Sequence, residues 1–87
     1  MRLVFVKPGD KIKILNEVIF DSMPWRDWTF VDVRDVRILP IPADTILTIL
    51  RVRVNKNEIS IKFKIDGRPL SYWVAVQDFS QWDIEIL

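Results

Sequence analysis

The chain has 87 residues, 49% of them hydrophobic and 29% charged, with a formal net charge of +1. This is globular rather than disordered composition, and the lack of any cysteine or histidine excludes disulfide frameworks, thiolate zinc sites and histidine-based catalysis. One domain over residues 1–87 is expected, and a chain this short buries only about 60 to 65% of its unfolded surface, so its core must be well filled.

In chain order, the first apolar run is "LVFV" before "KPGD", too short for a signal-peptide core or a spanning helix. A cytoplasmic location without membrane contact is the expectation. "KPGD" reads as a turn, and "DKIKIL" after it as a strand with Ile12 and Ile14 alternating against Lys11 and Lys13. Residues 16–27 read as a long loop that ends in "PWRDW". "WTFVDVRDVRIL" reads as a long strand whose apolar phase changes from Val31 and Val33 to Val36 and Ile38, which suggests a bulge near Arg34 and Asp35. "PIPAD" at 40–44 reads as a loop because Pro40 and Pro42 cannot donate to a ladder.

The clearest signal lies between Ile46 and Val76, where period-two alternation predicts a three-strand meander. Its apolar sets are Ile46, Leu50, Val52 and Val54; then Ile59, Ile61, Phe63 and Ile65; then Leu70, Tyr72, Val74 and Val76. A turn around Lys56 and Asn57 pairs Val54 with Ile59. A turn at Asp66-Gly67-Arg68-Pro69, with Gly67 at the first central position, pairs Ile65 with Leu70. Under these pairings the three sets share one face, and a one-residue slip would break the agreement. "QDFSQW" reads as one helical turn and "DIEIL" as a final strand.

The fold class is therefore all-β. The order of elements resembles the SH3-like small β-barrel: "KPGDKIKIL" is similar to its opening strand, residues 16–27 to its long first loop, and "VAVQDFSQWDIEIL" to its short helical turn and last strand. The paired-aromatic "ALYDY" stretch of SH3 peptide binders is absent, so the resemblance concerns fold and carries no function. An OB-fold, the main alternative, wants a helix between strands that this pattern does not supply.

Two constellations stand out as binding surfaces. Trp25, Arg26 and Trp28 from the loop, with Phe79 and Trp82 from the helical turn, line one groove in an SH3-like arrangement. Rigid aromatic walls suit an extended or Pro-rich peptide, and Asp21, Asp27 and Asp78 would select a basic residue in it. Against this, Trp28 and Phe30 also read as core residues, and Trp82 as a cap on the barrel's open end.

The other constellation follows from charge. Residues 51–68 hold Arg51, Arg53, Lys56, Lys62, Lys64 and Arg68 against Glu58 and Asp66, whereas Asp78, Asp83 and Glu85 are the only charges after residue 68. The predicted register sets Arg51, Lys62 and Trp73 in one cross-strand row, flanked by Lys64 on one side and Arg53 on the other. Cations beside an exposed indole suit nucleic acid, whose phosphates and bases they engage. The same pattern also describes a solvated face whose lysine and arginine stems cover Trp73.

Catalysis has no comparable support. Asp32 with Asp35 and Asp83 with Glu85 read as solvent-facing strand acids, and glycine-rich phosphate loops, nucleophile elbows and metal-ligand spacings are missing. The sequence thus predicts a non-enzymatic interaction module with no cofactor or metal, binding a protein or peptide through the aromatic groove. Nucleic-acid binding on the basic face, or assembly of a homo-oligomer through exposed sheet edges, are the alternatives.

Overall fold

The computed structural model describes residues 4–21 and 38–87. Its elements are β1 (Lys11–Ile14), β2 (Val18–Asp21), β3 (Ile38–Ile41), β4 (Ile46–Asn55), β5 (Glu58–Ile65), β6 (Ser71–Ala75), the single helical turn α1 (Val76–Phe79) and β7 (Ile84–Ile86). They form two antiparallel sheets: a five-stranded one in the order β6-β5-β4-β1-β7, and a two-stranded one of β2 and β3. Among the described residues β6 and β7 are the edges of the larger sheet and the ladder does not close.

The meander forms because its alternation satisfies a core on one side and water on the other. Asn55 pairs with Glu58 across the two-residue turn, Val54 with Ile59, and Lys64 with Ser71 on the next strand. The second turn differs in detail from the expectation. Arg68 donates its backbone N–H to the Ile65 carbonyl at 3.0 Å, so Gly67, at φ +89°, occupies the second central position rather than the first. That position too demands positive φ in some turn types, which explains glycine there.

The phase of β4 is corrected more deeply. Its register shifts between Ile49 and Arg51, leaving Leu50 without a partner on β5. This bulge switches the inward set. Leu47 and Ile49 are buried before it, whereas Val52 faces inward after it and Leu50 is 42% exposed. The expected uniform set of Ile46, Leu50, Val52 and Val54 therefore does not exist. The two leucines give a direct check by denaturant unfolding: Leu47→Ala is expected to cost about 2 to 5 kcal/mol, and Leu50→Ala under about 1 kcal/mol.

Two further expectations change. Part of the stretch read as a long first loop is β2, with Val18 and Phe20 buried and Ile19 exposed between them. The strand β3 runs through Pro40, which pairs with Ile19 although it was expected to lie in a loop. Each strand of a two-stranded sheet has a free edge, and proline is tolerated where its missing N–H would face away from the ladder. The expected long strand from Trp28 lies outside the described residues before Ile38, as does its bend near Arg34 and Asp35.

The core collects Ile12 and Ile14 from β1, Val18 and Phe20 from β2, Ile41 from β3, Leu47 and Ile49 from β4, and Ile61, Phe63 and Ile65 from β5; Val74, Val76 and Phe79 complete it. Aromatic rings form its centre. Phe20 meets Phe63 edge to face at 5.4 Å, and Trp82 lies 5.7 Å from Phe63 and 5.2 Å from Phe79. Such offset and edge geometries are the favoured ones for ring quadrupoles. The last strand returns beside the first, Lys13 opposite Glu85, and Leu87 donates its N–H to the Lys11 carbonyl at 2.9 Å.

Candidate functional site

The outer face of the meander is built by register. Arg51 lies opposite Lys62, and Lys62 opposite Trp73; the next row is Arg53, Ser60 and Ala75, and the row on the other side contains Thr48, Lys64 and Ser71. The hairpin register sets Arg51 and Arg53 on this face, and the bulge at Leu50 then reverses the phase so that Leu47 and Ile49 turn to the core and Thr48 joins the outer face.

Two cations converge on one ring. The Arg53 guanidinium carbon is 4.8 Å from the Trp73 ring centroid, and the Lys62 ammonium nitrogen is 5.8 Å from it. Both distances are within cation–π range, worth about 0.5 to 1 kcal/mol at exposed sites. Trp73 is half-buried, Arg51 and Arg53 are exposed, and Lys62 and Lys64 are half-buried. Among the described residues none of these four cations has a carboxylate within salt-bridge distance; the ion pairs there are Lys11 with Asp66 and Lys13 with Asp44.

Two acids border this surface: Glu58, exposed on the same face of β5 opposite Asn55, and Asp66 beyond Lys64, which is occupied. Thr48 donates its hydroxyl to Oδ1 at 2.6 Å, and Lys11 donates its ammonium to Oδ2 at 2.9 Å. The Thr48 hydrogen bond, followed by that of Lys11, holds the Asp66 carboxyl below its ordinary value. A depressed folded-state pKa stabilises the fold above the unfolded pKa of about 3.9 and loses that contribution as the pH falls through the folded value. The stability difference between the unmodified chain and Asp66→Asn is therefore expected to be constant above about pH 5 and to shrink below about pH 4. Urea unfolding at a series of pH values measures it. Because Asp66 is exposed, the effect is small.

The aromatic constellation is not brought together as expected. Phe79 is fully buried at the end of α1, so it has no surface to offer a groove and is corrected to a core residue. Trp82 is half-buried and has its ring within 5.8 Å of those of Phe20, Phe63 and Phe79. Asp78 is exposed on α1. Trp25, Arg26 and Trp28 lie outside the described residues.

Sequence reasoning missed the stacking of Arg53 on Trp73 and the Lys11-Thr48-Asp66 network. The first was accessible only in part: Arg53 on β4 and Trp73 on β6 share a face but flank β5, and the small Ser60 opposite Arg53 is what lets the guanidinium reach across to the ring. The second depends on the bulge, which sets Thr48 opposite Lys64 and on the face of Lys11.

The described residues thus define an all-β architecture of two antiparallel sheets with a basic outer face on the larger one. Among them, no helix is long and apolar enough to cross a membrane, and no three His, Cys, Asp or Glu side chains are grouped as metal ligands would be. Comparisons with family models, curated proteins and solved structures find no match for the chain.

Proposed function

We propose that the chain is a small SH3-like barrel that acts as a non-enzymatic binding module for single-stranded nucleic acid, through Arg51, Arg53, Lys62, Lys64 and Trp73. The fold part of this reading is supported by the order β6-β5-β4-β1-β7, with β1 and β7 adjacent, the antiparallel pair β2-β3 between β1 and β4 in the chain, and one helical turn before β7.

The functional part rests on one observation, the position of Arg53 over an indole whose cross-strand neighbour is Lys62, itself opposite Arg51. A guanidinium stacked on a ring spends its face and keeps its in-plane N–H donors for a phosphate. Trp73 sits on an edge strand, so among the described residues no further strand flanks the side of the ring away from β5. That side suits a stacked base, a contact worth about 1 to 3 kcal/mol and tolerant of sequence. Among the described residues the cations of this face have no carboxylate within salt-bridge distance, whereas Phe79 and Trp82 of the aromatic groove are engaged in packing. For this reason the basic face is preferred to the peptide groove.

Fluorescence anisotropy with a labelled single-stranded decamer tests the reading. Binding at about 50 mM salt that weakens steeply toward about 200 mM is expected. No binding at low salt overturns it.

A further inference from the structure

Asp66 is the only aspartate or asparagine in the chain that glycine follows. After every other one, the next amide nitrogen is shielded by a side chain of its own residue. The pair Asp66-Gly67 is the exposed centre of the turn between β5 and β6, with Gly67 at φ +89° and open space where a Cβ would stand. The turn is closed on both sides of it: Arg68 donates its N–H to the Ile65 carbonyl, and Asp66 donates its own to the Ile46 carbonyl, each at 3.0 Å. Among the described residues the Gly67 N–H donates to no protein group. An unshielded and unbonded amide nitrogen therefore stands next to a carboxyl group. Among the same residues, that carboxyl is held by Thr48 of β4 on Oδ1 and by Lys11 of β1 on Oδ2.

We infer that Asp66-Gly67 is a site of spontaneous covalent modification, aspartate isomerisation through a cyclic imide, and that Thr48 and Lys11 slow it by holding the carboxyl. The Gly67 nitrogen attacks Asp66 Cγ: the N–Cγ bond forms, and the amide proton and the carboxyl hydroxyl leave as water. Water then adds to one of the two imide carbonyls and the ring opens. Opening at the main-chain carbonyl leaves the chain running through Cβ and Cγ, with a new carboxylate attached to Cα. The overall change is an isomerisation, and it consumes nothing.

The two partners oppose it in the same direction by separate means. To react, the carboxyl must rotate toward the Gly67 nitrogen, which carries its oxygens away from Thr48 and Lys11. The protonated carboxyl is the form that loses water readily, and Thr48 and Lys11, with Lys64 nearby, favour the ionised form. In the product the carboxylate is one carbon shorter and loses its place between β4 and β1.

The test follows the unmodified chain, Thr48→Val and Lys11→Met, each first established as folded by a thermal melt. All are held at about pH 6, where the small protonated fraction of a carboxyl is set by its pKa. The isomer has the mass of its parent, so it is quantified in proteolytic peptides by electron-transfer fragmentation, which breaks the two backbones differently. Isoaspartate is expected to accumulate at residue 66 faster than at any other aspartate. Each variant should raise that rate about twofold to fivefold, the scale of one exposed charged contact expressed as an equilibrium ratio. If residue 66 reacts no faster than the other aspartates, the site assignment fails. If both variants react at the rate of the unmodified chain, Thr48 and Lys11 do not restrain it and that part of the inference is overturned.

Discussion

Phe63→Ala is expected to cost about 3 to 5 kcal/mol, the range for truncating a core aromatic. The residue has no exposed surface, and its ring touches those of Phe20, Tyr72 and Trp82 as well as the aliphatic core. Collapse cannot fill the space, because each of those neighbours is held by a different element: β2, β6 and the segment after α1. A domain of this size has only about 5 to 15 kcal/mol of stability in all, so the variant should lose from about a fifth to nearly all of it. Each kcal/mol shifts the melting temperature of such a domain by about 4 to 8 °C, and a fall of at least about 12 °C is therefore expected by calorimetry or circular dichroism. A fall of less than about 5 °C would mean that the rings near Phe63 repack freely, and that the cluster does not join the two sheets.

Phe63 also shows why much of this fold was legible in the sequence. Between Glu58 and Ile65 every second residue is apolar and every other one polar, so only one phase buries the former and wets the latter. The two-residue turn at Lys56-Asn57 then transmits that phase to β4 as far as Arg51, and the whole basic row follows from it. Beyond Arg51 the reading failed, and the cause is the chemistry of one stretch. Ile46, Leu47, Ile49 and Leu50 are apolar in both phases, so either set can face inward, and the bulge carries no glycine to mark it. The position of Thr48, and with it the Asp66 network, could not be read until that ambiguity was resolved by packing.

The misreadings of β2, β3 and Phe79 have a different origin. Val18 and Phe20 alternate around Ile19, but four residues make a weak periodic signal, and the polar residues that flank them make "NEVIFDS" read as loop. Pro40 was read as excluding a strand, although on an edge it excludes only one side of the ladder. An SH3-like arrangement sets Phe79 and Trp82 together beside the first loop, and a single helical turn is too short to show which of its faces is apolar. The burial of Phe79 follows from the chain reversal after β6, which turns Val76 and Phe79 back over the sheet.

Reversing the charge of the basic face, Arg53→Glu with Lys62→Glu, is expected to remove nearly all affinity for single-stranded DNA without unfolding the chain. Each cation lost from a phosphate contact and each anion introduced beside one contributes about 0.5 to 1 kcal/mol near a surface in water. For two substitutions the sum is about 2 to 4 kcal/mol, a weakening of roughly thirtyfold to a thousandfold. The salt dependence tells an electrostatic loss from a general one. Four phosphate contacts predict a log–log slope of about −3 for a single strand, and loss of two brings it to about −1.5. Stability responds to opposing effects. The stacking on Trp73 is lost at about 0.5 to 1 kcal/mol per cation, but Arg51 acquires an opposite charge directly across the strand in place of Lys62, which returns some tenths of a kcal/mol. Unfolding free energy should therefore fall by no more than about 1 to 2 kcal/mol. If the cations only cover Trp73, stability would change as calculated and oligonucleotide affinity would not; if they form a phosphate-binding surface, affinity falls by far more than stability.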